Sequence, residues 1–313
     1  MKRILLALML GIGALGFAQS KEEIVQKYII DKIKGYKPTD LVPYSKDGKK
    51  WALMDVKSRK ILTDFVLNWP STFNPEFYFS MEAEKRIISM KLASDYTILE
   101  PRLKILPGPE IKRPIKTNTP GFQMDEHGKI VSHYADYEYI SRPILYKGEY
   151  YIVVTKKDKT NMLINQKGEE KEGFHFKEIS DIGYKDKESG EDVFYVESFD
   201  GKKGFVTISG KKKLYGELLY GLYSRVLGYS LQKDSHYLSE IKKSGVVDIP
   251  TQEWVIKPQE KYKIYEIVYT SLEEIGVLTA EDRNKATVYF LATDQSGQHF
   301  VLDIKGNPIL PKN

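Results

Sequence analysis

One segment of this 313-residue chain shows the pattern on which its fold prediction depends: Asp200-Gly-Lys-Lys-Gly204-Phe-Val-Thr207-Ile-Ser-Gly210-Lys211. Its apolar residues predict a short strand, which ends at the polar residue Thr207. Asp or Asn holds this position in most of the other copies described below, because their short side chains bond backbone N–H groups two residues on. Gly210 follows three residues later and tolerates the positive φ that such turns need. The pattern therefore predicts a β-hairpin.

The same unit recurs along the chain. Its polar turn residue, called here the marker position, falls at residues 55, 125, 165, 207, 248 and 303, at intervals of 70, 40, 42, 41 and 55 residues. Three intervals near 41 residues indicate a repeat, and the two long intervals indicate insertions. The residues that we predict to be structural repeat positions are Trp51, Asp55, Asp125, Gly128, Asn165, Gly168, Gly204, Gly210, Gly245, Asp248, Asp303 and Gly306.

These units predict an all-β fold class built from repeated hairpins. A second turn often precedes the marker strand, at Asp47-Gly48, Asp200-Gly201 and Ser296-Gly297, so each unit holds at least three short strands. The 22 tyrosines favour half-buried strands, and cross-strand packing explains them better than a ligand platform. About six meander units of this length suit a propeller-like arrangement or an open β-array, and the sequence leaves both open.

The longest interval contains a predicted insertion over residues 64–119. Its proline-rich part, from Pro101 to Pro120, reads as an extended connector. The stretch from Glu82 to Lys91 is compatible with either a short helix or a strand.

Two stretches carry a resemblance to a known family: Asp47-Gly-Lys-Lys-Trp51-Ala-Leu-Met-Asp55 and Asp200-Gly-Lys-Lys-Gly204-Phe-Val-Thr207. They resemble the bacterial WG-repeat proteins, whose unit reads roughly Asn-Gly-Lys-Trp-Gly-Tyr-Ile-Asp, two residues, then Gly-Lys. The copies are degenerate here, since only Trp51 fills the Trp position, and the Gly position survives as Gly204 and Gly245. The resemblance implies a repeated β-structure, frequent export in bacteria and no established common enzymatic activity.

The N-terminal residues predict export. Lys2 and Arg3 precede an uncharged, mostly apolar run from Ile4 to Phe17, and small residues at Gly16 and Ala18 suit signal-peptidase cleavage. A cleaved signal is favoured over an uncleaved anchor because the run is shorter than the roughly 20 apolar residues that a spanning helix needs. We therefore predict a signal peptide over 1–18, a periplasmic or extracellular location, and no transmembrane segment in the mature chain.

Residues 19–40 are predicted to form one short helix and a linker ahead of a β-repeat domain over 41–313. Ser20 with Glu23 forms a capping box. Apolar residues between Ile24 and Ile33 recur at helical spacing, and Gly35 ends the helix. Since a helix of this length is marginal in water, we expect its apolar face to dock on the body of the protein.

Composition excludes several classes of function. The chain has no cysteine, which excludes disulfides, thiol catalysis and cysteine-ligated metals. The net charge of +5 falls to near +3 without Lys2 and Arg3 (5 − 2), and both signs are mixed along the chain. We therefore do not expect a nucleic-acid partner.

No pattern predicts catalytic, cofactor-binding or metal-binding residues. Ser209 with Lys212, and Ser239 with Lys242, match a Ser-x-x-Lys spacing that is common by chance in a lysine-rich chain. Asp234-Ser235-His236 has triad residue types, but sequence neighbours rarely reach triad geometry. Zinc ligation is not expected because the five histidines are scattered, at His127, His133, His175, His236 and His299.

Three hypotheses on function follow. The leading one is an exported, non-enzymatic binding or scaffolding protein whose partner is an envelope protein or glycan. The alternatives are an envelope enzyme acting on glycan or peptide, and a carbohydrate-binding module with exposed, coplanar tyrosine rings. Truncating Trp51 distinguishes two roles for this residue. A large loss of stability would indicate a core position, and an unchanged stability would indicate an exposed binding residue.

Overall fold

The computed structural model describes residues 19–99, 113–216, 220–224, 228–275 and 280–312. The predicted signal peptide lies outside these residues, as does most of the predicted proline-rich connector. Contacts divide the chain into two compact units, one of Met1–Pro101 with Pro311–Asn313 and one of Arg102–Leu310. The predicted β-repeat domain over 41–313 therefore spans both units. The all-β fold class with a short N-terminal helix is confirmed.

The first unit begins with the predicted helix, capped as the sequence indicates. The Ser20 hydroxyl accepts a hydrogen bond from the Glu23 N–H at 3.1 Å, and the Glu23 carboxylate accepts one from the Ser20 N–H at 2.8 Å. The helical run comprises α1 (Lys21–Val25), a π-helical turn (Gln26–Ile30) and α2 (Asp31–Ile33). The π-helical turn was not predicted, and its wider turn changes the spacing of the apolar face. The buried residues of that face are Ile24, Val25, Ile29, Ile30 and Ile33.

The strands of the first unit form one sheet, called sheet 1. Leu67 makes antiparallel bridges to Trp51 on one side and to Met81 on the other, and so joins two groups of strands. All pairings in the sheet are antiparallel. Its strands are β1 (Leu41–Ser45), β2 (Trp51–Asp55), β3 (Phe77–Ala83), β4 (Arg86–Leu92) and β5 (Ile98–Leu99).

Much of the predicted insertion is therefore part of sheet 1. The ambiguous stretch from Glu82 to Lys91 is the β3–β4 hairpin, with a two-residue turn at Glu84 and Lys85. Both turn residues have positive φ, 51° and 62°, although neither is the Gly, Asn or Asp that normally signals such a turn. The helix docks beside this turn, since Lys27 Nζ lies 2.8 Å from the Glu84 carboxylate and Arg86 donates to the Gln19 carbonyl at 2.6 Å.

The second unit continues as a series of short sheets, mostly antiparallel meanders. Sheet 2 is the exception, because β6 pairs with β8 in parallel. Sheet 2 comprises β6 (Ile115–Thr117), β7 (Phe122–Met124) and β8 (Ile130–Tyr134), and sheet 3 comprises β9 (Tyr137–Ile140), β10 (Ile144–Tyr146), β11 (Glu149–Lys156) and β12 (Asn161–Asn165). Sheet 4 comprises β13 (Glu178–Lys185), β14 (Asp192–Glu197), β15 (Lys203–Thr207) and β16 (Lys212–Tyr215). Sheet 5 comprises β17 (Tyr220–Ser224), β18 (Tyr229–Lys233), β19 (Ser244–Asp248) and β20 (Glu253–Gln259). Sheet 6 comprises β21 (Lys263–Thr270), β22 (Thr287–Thr293) and β23 (His299–Leu302), with the short helix α3 (Ala280–Asn284) between β21 and β22.

Hydrophobic cores lie between consecutive sheets of this unit, from sheet 2 to sheet 6. A central strand therefore buries both faces. In β14, Phe194 and Val196 pack toward sheet 3, whereas Val193 and Tyr195 pack toward sheet 5. This two-sided burial explains why the central strands are continuous apolar runs without strict alternation.

The marker residue ends a strand, or follows it directly, in every copy. At Asp303, the Oδ1 atom accepts hydrogen bonds from the N–H groups of Lys305 and Asn307, both at 2.8 Å. The Gly306 N–H donates to the Asp303 carbonyl at 2.9 Å, and Gly306 has a φ of 80°. Asp125 and Asn165 make the same side-chain contacts to residues two and four positions on.

We expect Asp303→Ala to lower the free energy of unfolding by about 1 kcal/mol, because two backbone N–H groups lose their acceptor. Asp303→Asn retains a side-chain oxygen acceptor and serves as the matched control, with a loss well below that of the alanine variant. Urea denaturation followed by circular dichroism measures both. Equal losses in the two variants would contradict the assigned role of the oxygen.

Candidate binding surfaces

The buried carboxylates between sheets 3 and 4 are held in ion pairs. Arg142 Nε lies 2.9 Å from Asp181 Oδ2, and Arg142 Nη2 lies 2.8 Å from Asp192 Oδ1. Lys185 Nζ adds a second cation at 2.5 Å from Asp192. Both carboxylates are almost fully buried and face fixed cations, so the arrangement ties two sheets together.

Glu197, at the end of β14, is held in the same way by two lysines. Its carboxylate contacts the Lys177 ammonium group and lies 3.0 Å from that of Lys203. The hydrogen bond from Lys177 lowers the pKa of Glu197, burial opposes this effect, and Lys203 lowers the pKa further. The charged form of Glu197 therefore stabilises the fold.

We expect Glu197→Gln to lower the free energy of unfolding at neutral pH. A carboxyl whose pKa is depressed by folding contributes stability above its ordinary pKa of 4.5 and loses it as the pH falls through the lower pKa of the folded state. The difference between the wild type and the variant should therefore shrink below about pH 4.5. Chemical denaturation midpoints at a series of pH values between neutral and acid measure it.

Glu138→Gln is the control for this prediction. Glu138 pairs with Lys159 at the surface, where both side chains are largely exposed, and such pairs contribute little. Its midpoint should stay near that of the wild type. A constant difference for Glu197→Gln at every pH would show that the side chain acts through packing and not through its charge.

A cleft of about 470 Å³ lies between sheets 5 and 6 and is lined in part by α3. Arg283 of this helix lies 2.5 Å from Asp248 Oδ1 and stacks over the ring of Tyr229, 4.6 Å from its centroid. Asp303 also lines the cleft, but its oxygens accept the hydrogen bonds of its own turn. Two marker residues thus lie near this cleft in structural roles.

A second cleft of about 510 Å³ lies at the ends of sheets 3 and 4. The Lys171 ammonium group lies between the rings of Tyr146 and Tyr151, 4.9 and 5.2 Å from their centroids. Ser209 and Lys212, which match the Ser-x-x-Lys spacing, both line it. Ser209 contacts the Thr207 hydroxyl at 2.8 Å and donates to the Glu191 carboxylate, and Lys212 lies over the ring of Phe176. Ser209 and Lys212 therefore each contact other side chains.

The Asp234-Ser235-His236 run is held by contacts within its own loop. Asp234 accepts hydrogen bonds from the Lys242 and Lys243 N–H groups at 2.9 and 3.0 Å, and Ser235 donates to Glu240. The Asp234-Ser235-His236 run is thus part of a loop scaffold. Within the described residues, no group of three or more His, Asp or Glu side chains is placed to hold a metal ion.

The outer face of sheet 1 presents two neighbouring aromatic rings to solvent. Trp69 is 39% exposed and Tyr78 is 52% exposed, and their ring centroids lie 6.0 Å apart with an interplanar angle of 36°. Next to them, Lys50 Nζ donates to Asn68 Oδ1 at 2.7 Å and to Glu82 Oε2 at 2.5 Å. Asn68 in turn donates to the Ser80 hydroxyl at 2.8 Å. We call Trp69, Tyr78 and these four polar residues the aromatic face.

Sequence reasoning missed the aromatic face because residues 64–119 were interpreted as an insertion. One signal was present: Phe77, Phe79 and Met81 alternate with Tyr78, Ser80 and Glu82, which is typical of a strand with one buried face. That alternation places Tyr78 and Glu82 on the same outer side. Trp69 lies outside a regular strand, and its position beside Tyr78 depends on long-range pairing.

The structural repeat positions lie mainly in the interior or in turns. Trp51 is 4% exposed, which places it in the core of sheet 1 and not on a binding surface. Gly204 and Gly245 stand where a neighbouring strand passes close to the backbone: a Cβ atom would lie 2.1 Å from the Lys213 carbonyl oxygen at Gly204 and 2.7 Å from that of Ile256 at Gly245.

Comparisons with known proteins assign no family. No family model matches this chain, and no curated protein matches it. The resemblance to WG-repeat proteins therefore stays a prediction.

Three solved structures are similar to this chain at low level. A eukaryotic initiation factor has 9% identity and a TM-score of 0.29, and the match covers 86% of this chain and 61% of that chain. The β-propeller domain of Myceliophteria thermophila Cps50 (Swd1) has 11% identity and a TM-score of 0.24, with 84% and 79% covered. BBS1N in complex with ARL6DN has 12% identity and a TM-score of 0.23, with 85% and 92% covered. At these TM-scores the likeness supports no conclusion, and the all-β assignment depends on the strands themselves.

In the part of the chain that the structure describes, no helix combines the length and the apolar character needed to cross a bilayer. Residues 1–18, where the export signal is predicted, lie outside that part.

Proposed function

We propose that this chain is an exported, non-enzymatic binding protein of the bacterial envelope or exterior, built from degenerate WG-like repeats. The observation that carries the proposal is the aromatic face. Trp69 and Tyr78 expose large rings side by side on a sheet, and oriented polar groups lie beside them. Aromatic residues with a polar tip are the residue types that most often dominate binding energy at interfaces.

The ion pairs described above support the same proposal. Arg142 faces Asp181 and Asp192, Lys185 faces Asp192, Lys177 and Lys203 face Glu197, and Arg283 faces Asp248. An enzyme keeps at least one such group available to the substrate for proton transfer or nucleophilic attack. Here Arg142 joins sheets 3 and 4, and the lysine pairs of Asp192 and Glu197 join neighbouring segments of sheet 4, which is consistent with a scaffold that presents surfaces.

Affinity purification of the tagged full-length chain from gently cross-linked envelopes of its native host tests the proposal. A Trp69→Ala, Tyr78→Ala double variant is processed in parallel. We expect the wild type to enrich an envelope protein or glycan that the double variant recovers in much smaller amount. Identical recoveries from the two chains would contradict a binding function for the aromatic face.

Tyr139→Ala is the matched control for the double variant. Tyr139 is 50% exposed, close to the 52% of Tyr78, but it belongs to β9 in the second unit. The Tyr139→Ala chain should recover as much of the enriched protein or glycan as the wild type does. A loss in this control as large as in the double variant would indicate a general effect of removing surface tyrosines.

A further inference from the structure

The aromatic face is held in position by backbone pairing. The Asn68 N–H donates to the Ser80 carbonyl at 2.8 Å, so the residue before Trp69 is fixed to β3. Tyr78 lies two residues before Ser80 on that strand and therefore points to the same side of the sheet. The two rings form a shallow apolar surface whose position is set by the sheet. The ring side chains therefore need little further ordering when a ligand binds.

The polar residues beside the rings form a connected row. Lys50 donates hydrogen bonds to both Asn68 and Glu82, and Asn68 donates one to the Ser80 hydroxyl. Tyr78 and Glu82 are four residues apart on β3, so their positions are separated by about 13 Å along the strand. The Glu82 side chain is 52% exposed and that of Lys50 is 37% exposed, so both charged groups are open to solvent while their mutual hydrogen bonds orient them.

The charged residues beside the rings form two ion pairs. Lys50 pairs with Glu82, and Lys91, which lies opposite Tyr78 on β4, pairs with Glu76 at 3.0 Å. Two cations and two anions therefore surround the rings. An anionic polymer or a phosphate group would favour an excess of cations, so the local charge favours an uncharged ligand.

We propose that the aromatic face binds an uncharged polysaccharide, with the C–H faces of sugar rings on Trp69 and Tyr78 and sugar hydroxyls on Asn68, Lys50 and Glu82. The inference rests on the binding function proposed above and names the ligand class. The apolar side of a sugar ring matches an exposed aromatic ring, and its hydroxyls both donate and accept hydrogen bonds, as the polar row requires.

Native affinity electrophoresis of the full chain tests the inference with a panel of uncharged polysaccharides: hydroxyethylcellulose, laminarin, mannan, dextran and soluble starch. We expect at least one of them to retard the wild type. Trp69→Ala and Tyr78→Ala should each weaken the apparent affinity by about tenfold or more, the scale of losing an aromatic anchor. Tyr139→Ala should retain the wild-type retardation, and circular dichroism should show each variant folded.

A second measurement uses the fluorescence of Trp69 itself. The retarding polysaccharide should protect wild-type tryptophan from acrylamide quenching. In Trp69→Phe this protection should disappear, because Trp51 is buried and Trp254 packs against the core between sheets 4 and 5. This readout remains informative if an alanine variant folds poorly.

The outcomes separate the ligand class from the proposed function. Retardation by no member of the panel, or retardation unchanged in both ring variants, would overturn the polysaccharide inference. If the affinity purification then recovers a protein that depends on Trp69 and Tyr78, the binding function stands and only the ligand class is wrong. If neither experiment depends on the two rings, both proposals fail.

Discussion

Trp51→Ala is expected to lower the free energy of unfolding by about 3–5 kcal/mol, the cost of removing a large buried aromatic side chain. Trp51 is only 4% exposed and begins β2, which pairs with β1 on one side. On the other side, the Trp51 and Leu67 N–H groups each donate to the carbonyl of the other residue, at 2.9 and 3.0 Å. The Trp51 backbone is thus paired on both sides, which holds its buried side chain in place. Removing that side chain is expected to leave a cavity that the neighbouring residues cannot easily fill.

Urea or guanidinium denaturation followed by far-ultraviolet circular dichroism measures the loss, since this signal does not depend on the tryptophan being removed. Trp69→Ala is the matched control, because it makes the same truncation at a ring that is 39% exposed. Trp69→Ala should lower the free energy of unfolding clearly less than Trp51→Ala does. An unchanged midpoint for Trp51→Ala would mean that the ring is not in the core.

Gly204→Ala is expected to cost about 3 kcal/mol, at the upper end of the range for overpacking. A Cβ atom at Gly204 would lie 2.1 Å from the Lys213 carbonyl oxygen and 2.8 Å from the Leu214 Cα atom, and both of these are backbone atoms of β16. Backbone atoms cannot move aside without disturbing the pairing of β15 with β16. The added methyl group therefore forces the two strands apart.

Gly216→Ala is the control for this substitution. At Gly216 the nearest atoms to a Cβ belong to the flexible Lys202 side chain, at 3.4 Å and beyond. The control should change the denaturation midpoint little, whereas Gly204→Ala should lower it strongly. Equal midpoints for the two variants would contradict the close approach of β16.

Local chemistry was sufficient to predict several elements. The capping box of Ser20 and Glu23 forms as predicted, because both partners lie within one helical turn. The turns at Asp125, Asn165 and Asp303 form because each side-chain oxygen reaches N–H groups two and four residues on. Interactions between residues so close in sequence leave a pattern that repeats with the unit.

Longer-range features were harder to predict. The β3–β4 turn uses Glu84 and Lys85 at positive φ, so it carries none of the usual turn residues, and its strands were assigned to an insertion. The wider π-helical turn at Gln26–Ile30 also lacks a sequence signal. In both places the backbone departs from the local preference of the chain.

Sequence patterns were enough to predict the all-β class, the repeat near 41 residues and the capped N-terminal helix, and to exclude cysteine chemistry. These depend on composition and on contacts within a few residues. Three features become visible only in the folded chain: Trp51 is buried, Arg142 joins Asp181 to Asp192, and Trp69 lies beside Tyr78. Burial, ion pairing and ring contact depend on which distant strands pair. Because strand pairing is set by the whole sheet, it cannot be predicted from the identity of a single residue.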